Sequence, residues 1–447
     1  MRHPQRVPSP SAAPTIMGYT YLAQHAASDE WVALTTEQRL RHTWIAGATG
    51  YGKSTLLEHM IAQDLAAGDG VIVIDPNGSL AERTLTLVPP SRINHTCYFS
   101  PGDLDRPVAW NLLDNMHPDQ RGVTVEGIVG ALREIWPDSW GPRMENLLRH
   151  TLLALTEMPS ASLLMVRQFL VDESYRRRAL AHVKDPFVRR FFRDEYDNKH
   201  EDDRDTIRSP ILNKVGAITS TPYLRNILCQ PTSTLSFKHL IDNRQVLIAN
   251  LAQGRIGDWT AHLAGALLIT QLRAAGMARA QLPLNELAKA PLFHLFIDEA
   301  QWFGVQSLAS IIEGLRKFRG SLTLANQNAA QLPEKLLATL VGTTQTVVSF
   351  RVGPDDAELL ARRMRIDPGG LTQMPIGMAC FDGQMARVPP PIGFPDADRI
   401  GKHVETLKGQ SARRYGRPRT DVEAKLTKVI ASAKPAKSGR PSPYKRR

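Results

Sequence analysis

The sequence predicts an α/β fold on a mostly parallel sheet, interrupted by an all-helical insertion and ending in a basic tail without fixed structure. Three observations predict it. Short continuous apolar runs alternate with helical patterns, as in parallel sheets covered on both faces. Residues 123–226 carry helical periodicity and no convincing strand. Of 55 Lys and Arg, fourteen fall between Gly401 and Arg447, against three Asp and Glu.

The elements follow in order. Residues 1–40 read as a lead-in in which YTYLAQ and EWVALT could pair as a small hairpin. Thr43–Ala46 is a short strand, followed by a glycine-rich loop and a helix from about Ser54 to Ala67, ended by Gly68 and Gly70. Val71–Asp75 (VIVID) and Thr96–Phe99 are strands. The helical stretches MENLLRHTLLALTEM, LLMVRQFLVD, FVRRFFRDEY and SPILNKVGAITS come next, with expected breaks at Pro159, Pro186 and Pro210. Strand character returns at Val246–Leu251, then an amphipathic helix spans about Trp259–Met277. Strands follow at Leu292–Asp298, Ser321–Ala325, Thr346–Phe350 and Met378–Phe381. The expected organisation is a first α/β segment over 41–115, the helical insertion over 116–230, a second α/β segment over 231–400, and the tail over 401–447.

Composition bounds the function. The chain has 447 residues, 42% hydrophobic and 22% charged, which is ordinary globular composition. No apolar run approaches the ~20 residues of a membrane helix. The start MRHPQRVPSPSAAP lacks the apolar segment of a secretory signal, so a cytoplasmic location is expected. Three scattered cysteines fit neither a disulfide framework nor a zinc site. The net charge of +11 resides in the tail, since the preceding 400 residues balance. Such a tail reads either as an electrostatic grip on nucleic acid or an acidic partner, or as a solubilising appendage.

The segment Gly47-Ala48-Thr49-Gly50-Tyr51-Gly52-Lys53-Ser54, followed by Thr55, matches GxxxxGK[ST] in full. Its glycines let backbone N–H groups converge on a β-phosphate, and the following helix adds its positive N-terminal end. Lys53 supplies a point charge between the β- and γ-phosphates, and the Ser54 hydroxyl is a Mg2+ ligand. ATP and Mg2+ are thus the expected cofactors. A second carboxylate must sit at a strand end. Asp75 and Asp298 both qualify. Asp298 is followed by Glu299, so this pair can divide metal binding from activation of water, and DEAQ is the better candidate. VIVID then reads as an extra strand beside the phosphate-loop strand. Asn326 and Gln327 end the strand SLTLANQ, where such a pair can sense a γ-phosphate. GLRKFRG, with Arg316, Lys317 and Arg319, offers an arginine that could reach a neighbour's γ-phosphate, though such a run is more often a solvated helix end.

Taken in order, GATGYGKST, VIVIDPNGSL, NILCQP, LIANLAQGRIG, FIDEAQWF, GLRKFRG, LTLANQNAAQL and VVSFRVGPDDA resemble the HerA–FtsK class of ring ATPases. Within it they are most similar to the soluble part of type IV secretion coupling proteins. The resemblance covers about Thr43 to Arg387. It implies a RecA-like motor, ATP hydrolysis and a homo-hexamer that pumps DNA through phosphate contacts without sequence preference. Lys53, Ser54, Asp298 and Glu299 fall on the class's matching positions, and Gln327 on its sensor glutamine. Arg316 matches the arginine before that glutamine and is the first choice of trans-acting finger; Arg351 is the weaker one. The helical insertion resembles the all-alpha domain of coupling proteins, which implies relaxase or secretion-channel partners and attachment at the inner membrane through them. Delivery of a protein substrate without DNA, and a nucleotide-gated scaffold, are the alternatives. Two departures stand out: neither the membrane helices of coupling proteins nor the β-barrel of HerA proteins is legible in the first 40 residues, and the second strand reads DPNG where relatives often read DPHG.

Overall fold

The computed structural model describes residues 18–432, except 26, 27, 29, 115–117, 304 and 395. Eleven strands form one sheet: β1 (Tyr19–His25), β2 (Trp31–Thr35), β3 (Thr43–Ala46), β4 (Gly70–Asp75), β5 (Thr96–Phe99), β6 (Val246–Asn250), β7 (Phe293–Ile297), β8 (Gly320–Asn326), β9 (Thr346–Ser349), β10 (Met378–Phe381) and β11 (Gln384–Arg387). Their order is β2-β1-β11-β10-β9-β3-β8-β7-β4-β6-β5. From β9 to β5 every pairing is parallel. From β9 to β2 every pairing is antiparallel. The parallel strands β3, β4, β6, β7, β8 and β9 are buried at every position. This is why they read as unbroken apolar runs rather than alternating ones.

The chain divides into two compact units. The first comprises the described residues up to Asp103, Gly130–Pro137 and Leu235–Gly416; the second comprises Leu104–Val129, Asp138–Thr234 and the chain from Arg417. The first carries the sheet. In the second every regular element among the described residues is helical, including Pro142–Thr156, Leu164–Val171, Glu173–Leu180, Glu201–Ser220 and Pro222–Leu228.

Four expectations change. VIVID (β4) does not flank the phosphate-loop strand: β8 and β9 flank β3, and β4 lies between β7 and β6. Strand adjacency is decided by which crossover packs where, and apolar content alone does not encode it. Pro210 does not break its helix, which runs from Glu201 to Ser220. Proline there costs about 3 kcal/mol, but buried Ile211, Val215 and Ile218 on the same helix each return about 1.5–3 kcal/mol. The hairpin of β1 and β2 is part of the main sheet, paired through β11, and Gln63 of the helix Lys53–Ala67 bonds both the Tyr21 N–H and its carbonyl. Finally, the segment from Gly401 is helical through Ser432, in Ala397–Tyr415 and Arg419–Ser432. Leu407 and Tyr415 on the first helix, and Val422 and Leu426 on the second, are buried, and these apolar anchors were outweighed in the sequence by surrounding charge. Residues 433–447, the rest of the expected tail, lie outside the described residues. No described helix is long and apolar enough to cross a membrane.

At the amino ends of the strands, buried Arg39 forms a bidentate pair with Asp64, at 2.8 and 2.9 Å, beside His294. Nearby His42 is held neutral. Its Nε2 donates to the Ile312 carbonyl at 2.8 Å, and its Nδ1 accepts the Leu322 N–H at 3.1 Å. Burial, opposed by the Ile312 bond and aided by Arg316, pushes its pKa down to about 4. The unfolded chain, with an ordinary histidine, takes up a proton that the folded chain refuses. Stability from this group is therefore present above pH ~6.5 and lost as pH falls toward 4, on the order of 3 kcal/mol in all. His42→Asn, which keeps an acceptor at the Nδ1 position, should flatten that slope in denaturant unfolding followed between pH 4 and 7; an unchanged slope would assign it to other groups.

Candidate functional site

The carboxyl ends of the central parallel strands converge on one place. The loop after β3 carries Gly47–Thr55, β4 ends in Asp75, β7 leads into Asp298-Glu299, β8 into Gln327, and β9 into Phe350-Arg351. Ligands of open α/β sheets bind at such ends. The register aligns them, with Ala46 opposite both Asn326 and Ser349.

The loop itself is pinned from both flanks. The Gly47 N–H donates to the Asn326 carbonyl at 3.2 Å, and the Ala48 N–H donates to the Arg351 carbonyl at 2.7 Å. Phe350, fully buried, lies directly beneath. A Cβ on Gly47 would stand 2.5 Å from the Phe350 Cβ, and one on Gly52 would stand 2.9 Å from its ring. Gly52 also has φ +120°, a region that side chains rarely adopt. The helix Lys53–Ala67 starts immediately after, so its free N–H groups face the loop. The Lys53 ammonium donates to the Gly47 and Ala48 carbonyls, the latter at 3.2 Å. Burial lowers its pKa, while Glu299 and Asp298 oppose the shift. Ser54 and Thr49 are exposed. A cavity of about 340 Å3 is lined on one side by Thr49, Gly50, Gly52–Thr55 and Glu299.

Two carboxylates competed in the sequence, and the geometry separates their roles. Asp75 is fully buried and accepts the N–H groups of Asn77 at 2.8 Å and Ala81 at 2.9 Å. It anchors the turn into the helix Ser79–Leu87. Among the described residues, Asp298 accepts only a close neighbour's N–H, that of Glu299 at 3.0 Å. Burial, with Asp75 and Glu299 adding negative charge, pushes the Asp298 carboxyl up to about 7 against the pull of Lys53. The Glu299 carboxylate lines the cavity that the exposed Ser54 hydroxyl also lines, a pairing that fits a divalent cation. Among the described residues no group of three or more His, Cys, Asp or Glu could hold a metal. Mg2+ in such sites takes one or two protein oxygens and completes its shell with phosphates and water. Asp75→Asn is therefore expected to cost about 1 kcal/mol of stability and to change hydrolysis less than threefold. Asp298→Asn should lower hydrolysis about a hundredfold or more. Steady-state phosphate release compares them, and equal losses would return Asp75 to the metal site.

Glu299 adopts a left-handed backbone, φ 48° and ψ 55°, uncommon outside glycine and enriched where strain serves a site. The conformation turns its carboxylate to accept from Gln327 Nε2 at 2.8 Å and Gln301 Nε2 at 2.6 Å. Asn326 is diverted elsewhere: its Oδ1 accepts the Trp44 indole N–H at 2.6 Å, and its amide donates to the Asn328 carbonyl. Of the two residues at the strand tip, only Gln327 faces the carboxylate.

The basic residues separate as well. Arg316 precedes β8 in the turn Leu315–Phe318, at the amino end of the sheet, and its guanidinium lies 4.0 Å from Glu37. A seven-residue strand of roughly 20 Å parts it from Gln327, so it cannot act on this chain's own phosphates. Arg319 donates to the Ala290 carbonyl at 2.7 Å. Arg351 belongs to the phosphate loop of its own chain, donating to the Tyr51 hydroxyl at 2.8 Å with its guanidinium 5.4 Å from the Tyr51 ring.

Sequence reasoning missed three supports. Gln301 was read only as part of DEAQ. Tyr51 filled a variable motif position. Asp356 read as one acidic residue of a helix start, yet its carboxylate accepts the N–H groups of Ala329 and Ala330, at 2.7 and 3.1 Å, and so holds the loop after Gln327. No local signal reports that target, because it lies 26 residues away.

The fold has known counterparts. Residues 30–208 match the family model of the type IV secretion-system coupling protein DNA-binding domain. The bacterial conjugative coupling protein TrwBdeltaN70 superposes with a TM-score of 0.57 at 17% identity, covering 81% of this chain and 87% of that one. The chain has the coupling-protein fold. The trigonal form of TrwBdeltaN70 with sulphate gives a TM-score of 0.59 at 16% identity over 87% of this chain and 98% of that one. VirB4 of Thermoanaerobacter pseudethanolicus, with the same coverage, gives 0.56 at 14% identity. A search of curated protein sequences finds no match. Within the coupling-protein fold, the loop Gly47–Thr55, the pair Asp298-Glu299 and Gln327 all belong to the sheet-bearing unit.

Proposed function

We propose that the chain is an ATPase that moves DNA in conjugative type IV secretion, working as a homo-hexameric ring with ATP and Mg2+ in the cytoplasm. The observation that carries the reading is the Glu299 carboxylate, turned by a strained backbone toward Gln327 and lining the same cavity as Lys53 and Ser54. Gly47, Thr49, Gly50, Gly52 and Thr55 shape the loop whose N–H groups receive the phosphates. Lys53 swings from its carbonyl partners to the β- and γ-phosphates. Ser54 and Asp298 would hold Mg2+, which would supply neutralisation of phosphate charge when bound. Glu299 takes a proton from the attacking water, and Gln327 orients that carboxylate and reports the γ-phosphate. Arg316, remote from its own site, is the candidate finger for a neighbour's γ-phosphate.

Support for the cofactors comes from coupling protein TrwB, which forms complexes with ADP and Mg2+, with ADPNP and with GDPNP. Support for DNA comes from the name of the matching family model. The second reading is a secretion-system ATPase that acts on a protein substrate without DNA. Relaxase or channel proteins would be the partners in either case, and would supply any attachment to the inner membrane. Phosphate release measured with and without DNA tests the choice. The DNA reading expects stimulation by DNA that fades as salt rises. A rate indifferent to both single- and double-stranded DNA would leave the secretion reading standing.

A further inference from the structure

The strand that delivers Asp298 and Glu299 is gripped at both ends by a phenylalanine ring lying on a glycine. Phe293 begins β7, and a Cβ on Gly320 of β8 would stand 2.4 Å from its ring. Phe303 follows the turn out of β7, and a Cβ on Gly265 would stand 2.0 Å from its ring. Both phenylalanines are buried. Non-bonded carbons settle at about 3.5–4.0 Å, so each ring fills the place of a missing side chain. Gly265 sits inside the helix Asp258–Met277, where glycine is the poorest choice after proline. The ring it admits explains its use there. Gly276, eleven positions on, lies on the same helix face, and the Phe293 ring is 3.9 Å from its Cβ position. Eleven residues of helix rise about 16 Å, and the five residues of β7 about 17 Å. The helix therefore runs antiparallel along β7, with one glycine at each end of the strand.

The turn between strand and seat has little slack. At its start, the Asp298 N–H donates to the Ile74 carbonyl at 3.1 Å. Within it, the Trp302 N–H donates to the Glu299 carbonyl at 3.0 Å and the Phe303 N–H to the Ala300 carbonyl at 3.1 Å. Only Ala300–Trp302 lie between Glu299 and Phe303. A left-handed backbone outside glycine persists only where its surroundings over-determine it. Here the sheet fixes one end of the turn and the helix fixes the other.

We infer that Phe303, seated on Gly265, is a positioning residue for hydrolysis: it holds Glu299 in the left-handed turn that directs its carboxylate to Gln327 and the phosphate cavity. The inference rests on the reading of Glu299 as the base. With the ring lifted off the helix, the far end of the turn is released. Glu299 then relaxes toward an ordinary backbone, and its carboxylate swings away from Gln327 Nε2, now at 2.8 Å. Neither Gly265 nor Phe303 lines the phosphate cavity. The phosphate loop is held separately, through the Asn326 and Arg351 carbonyls. The loss therefore falls on the chemical step and spares nucleotide binding.

Single-turnover hydrolysis and calorimetric ATPγS binding, both with Mg2+, test it in the full chain, in Gly265→Ala, in Phe303→Leu, in Glu299→Gln and in each seat variant combined with Glu299→Gln. Gly265→Ala drives a methyl into the ring. It should slow hydrolysis at least about tenfold, with the ATPγS Kd within about twofold of the parent. Phe303→Leu keeps an apolar side chain without the flat ring. It should slow hydrolysis about three- to tenfold, again with Kd unchanged. In the Glu299→Gln background either seat substitution should add less than about twofold, because the group it positions is already gone. Equal losses in both backgrounds, a Kd that weakens in step with the rate, or seat variants as fast as the parent overturn the inference while Glu299 keeps its role. A parental rate in Glu299→Gln overturns that role and the inference with it. Circular dichroism checks the fold; should Gly265→Ala fail to fold, Phe303→Leu carries the same comparison.

Discussion

Glu299→Gln is expected to bind ATP as tightly as the parent chain and to hydrolyse it about 10²–10⁴-fold more slowly, the range a positioned general base supplies. The substitution is nearly isosteric. It keeps an oxygen able to accept from Gln327 Nε2 or Gln301 Nε2, now 2.8 and 2.6 Å from the carboxylate, but removes the second acceptor and the base. The left-handed backbone at position 299 should persist, because it is set by the turn from β7 into Ala300–Trp302 rather than by the carboxylate. The decisive comparison is kcat against nucleotide affinity. A fall in both would mean that Glu299 shapes the site; no fall in kcat would remove it from the chemistry and with it the claim of a motor.

Gly47→Ala should abolish nucleotide binding, at least about a hundredfold in Kd, without unfolding the sheet. The added methyl would stand 2.5 Å from the Phe350 Cβ and 3.2 Å from its Cα. Those atoms belong to the chain leaving β9, whose N–H at Phe350 is bonded to the Ala46 carbonyl at 2.8 Å, so they cannot retreat. The phosphate loop must move instead, and its N–H groups lose their aim. Phe350→Ala keeps the offending Cβ, so the double variant should remain defective. By contrast, the neighbour of Gly52 is the far end of the Phe350 ring. Smaller residues at 350 relieve that contact but not the strain of φ +120°. Equilibrium dialysis with ATPγS, beside circular dichroism, separates lost binding from lost fold. Recovery of binding in Gly47→Ala/Phe350→Ala would show that the ring, not the backbone, is the obstacle.

Much of the site was legible because its chemistry is local. A phosphate loop needs glycine, lysine and serine at fixed spacing on one turn, so eight consecutive residues announce it. Asp298 and Glu299 announced themselves by following an apolar strand. The choice of Asp298 over Asp75 was argued from pair chemistry. The hydrogen bonds of Asp75 to Asn77 and Ala81 support it on different grounds, namely that Asp75 is committed to a turn. What was not legible depends on partners distant along the chain. Asn326 and Gln327 look equivalent in sequence, yet Trp44, 282 positions earlier, claims one of them. Arg316 and Arg351 both read as candidate fingers; their opposite ends of the sheet follow from strand direction.

By itself, the sequence determined the parallel sheet, the helical insertion and the identity of the phosphate loop, because burial on both faces, helical period and loop chemistry are written in neighbouring residues. Tertiary structure decided which strands lie beside β3, which of Asp75 and Asp298 is committed to a turn, and which amide faces Glu299. It also turned residues 401–432 from an expected tail into two helices. Those outcomes depend on which surfaces meet. A charged helix with a few apolar anchors orders only when a groove exists to receive them, and that groove is made of residues far away in the chain.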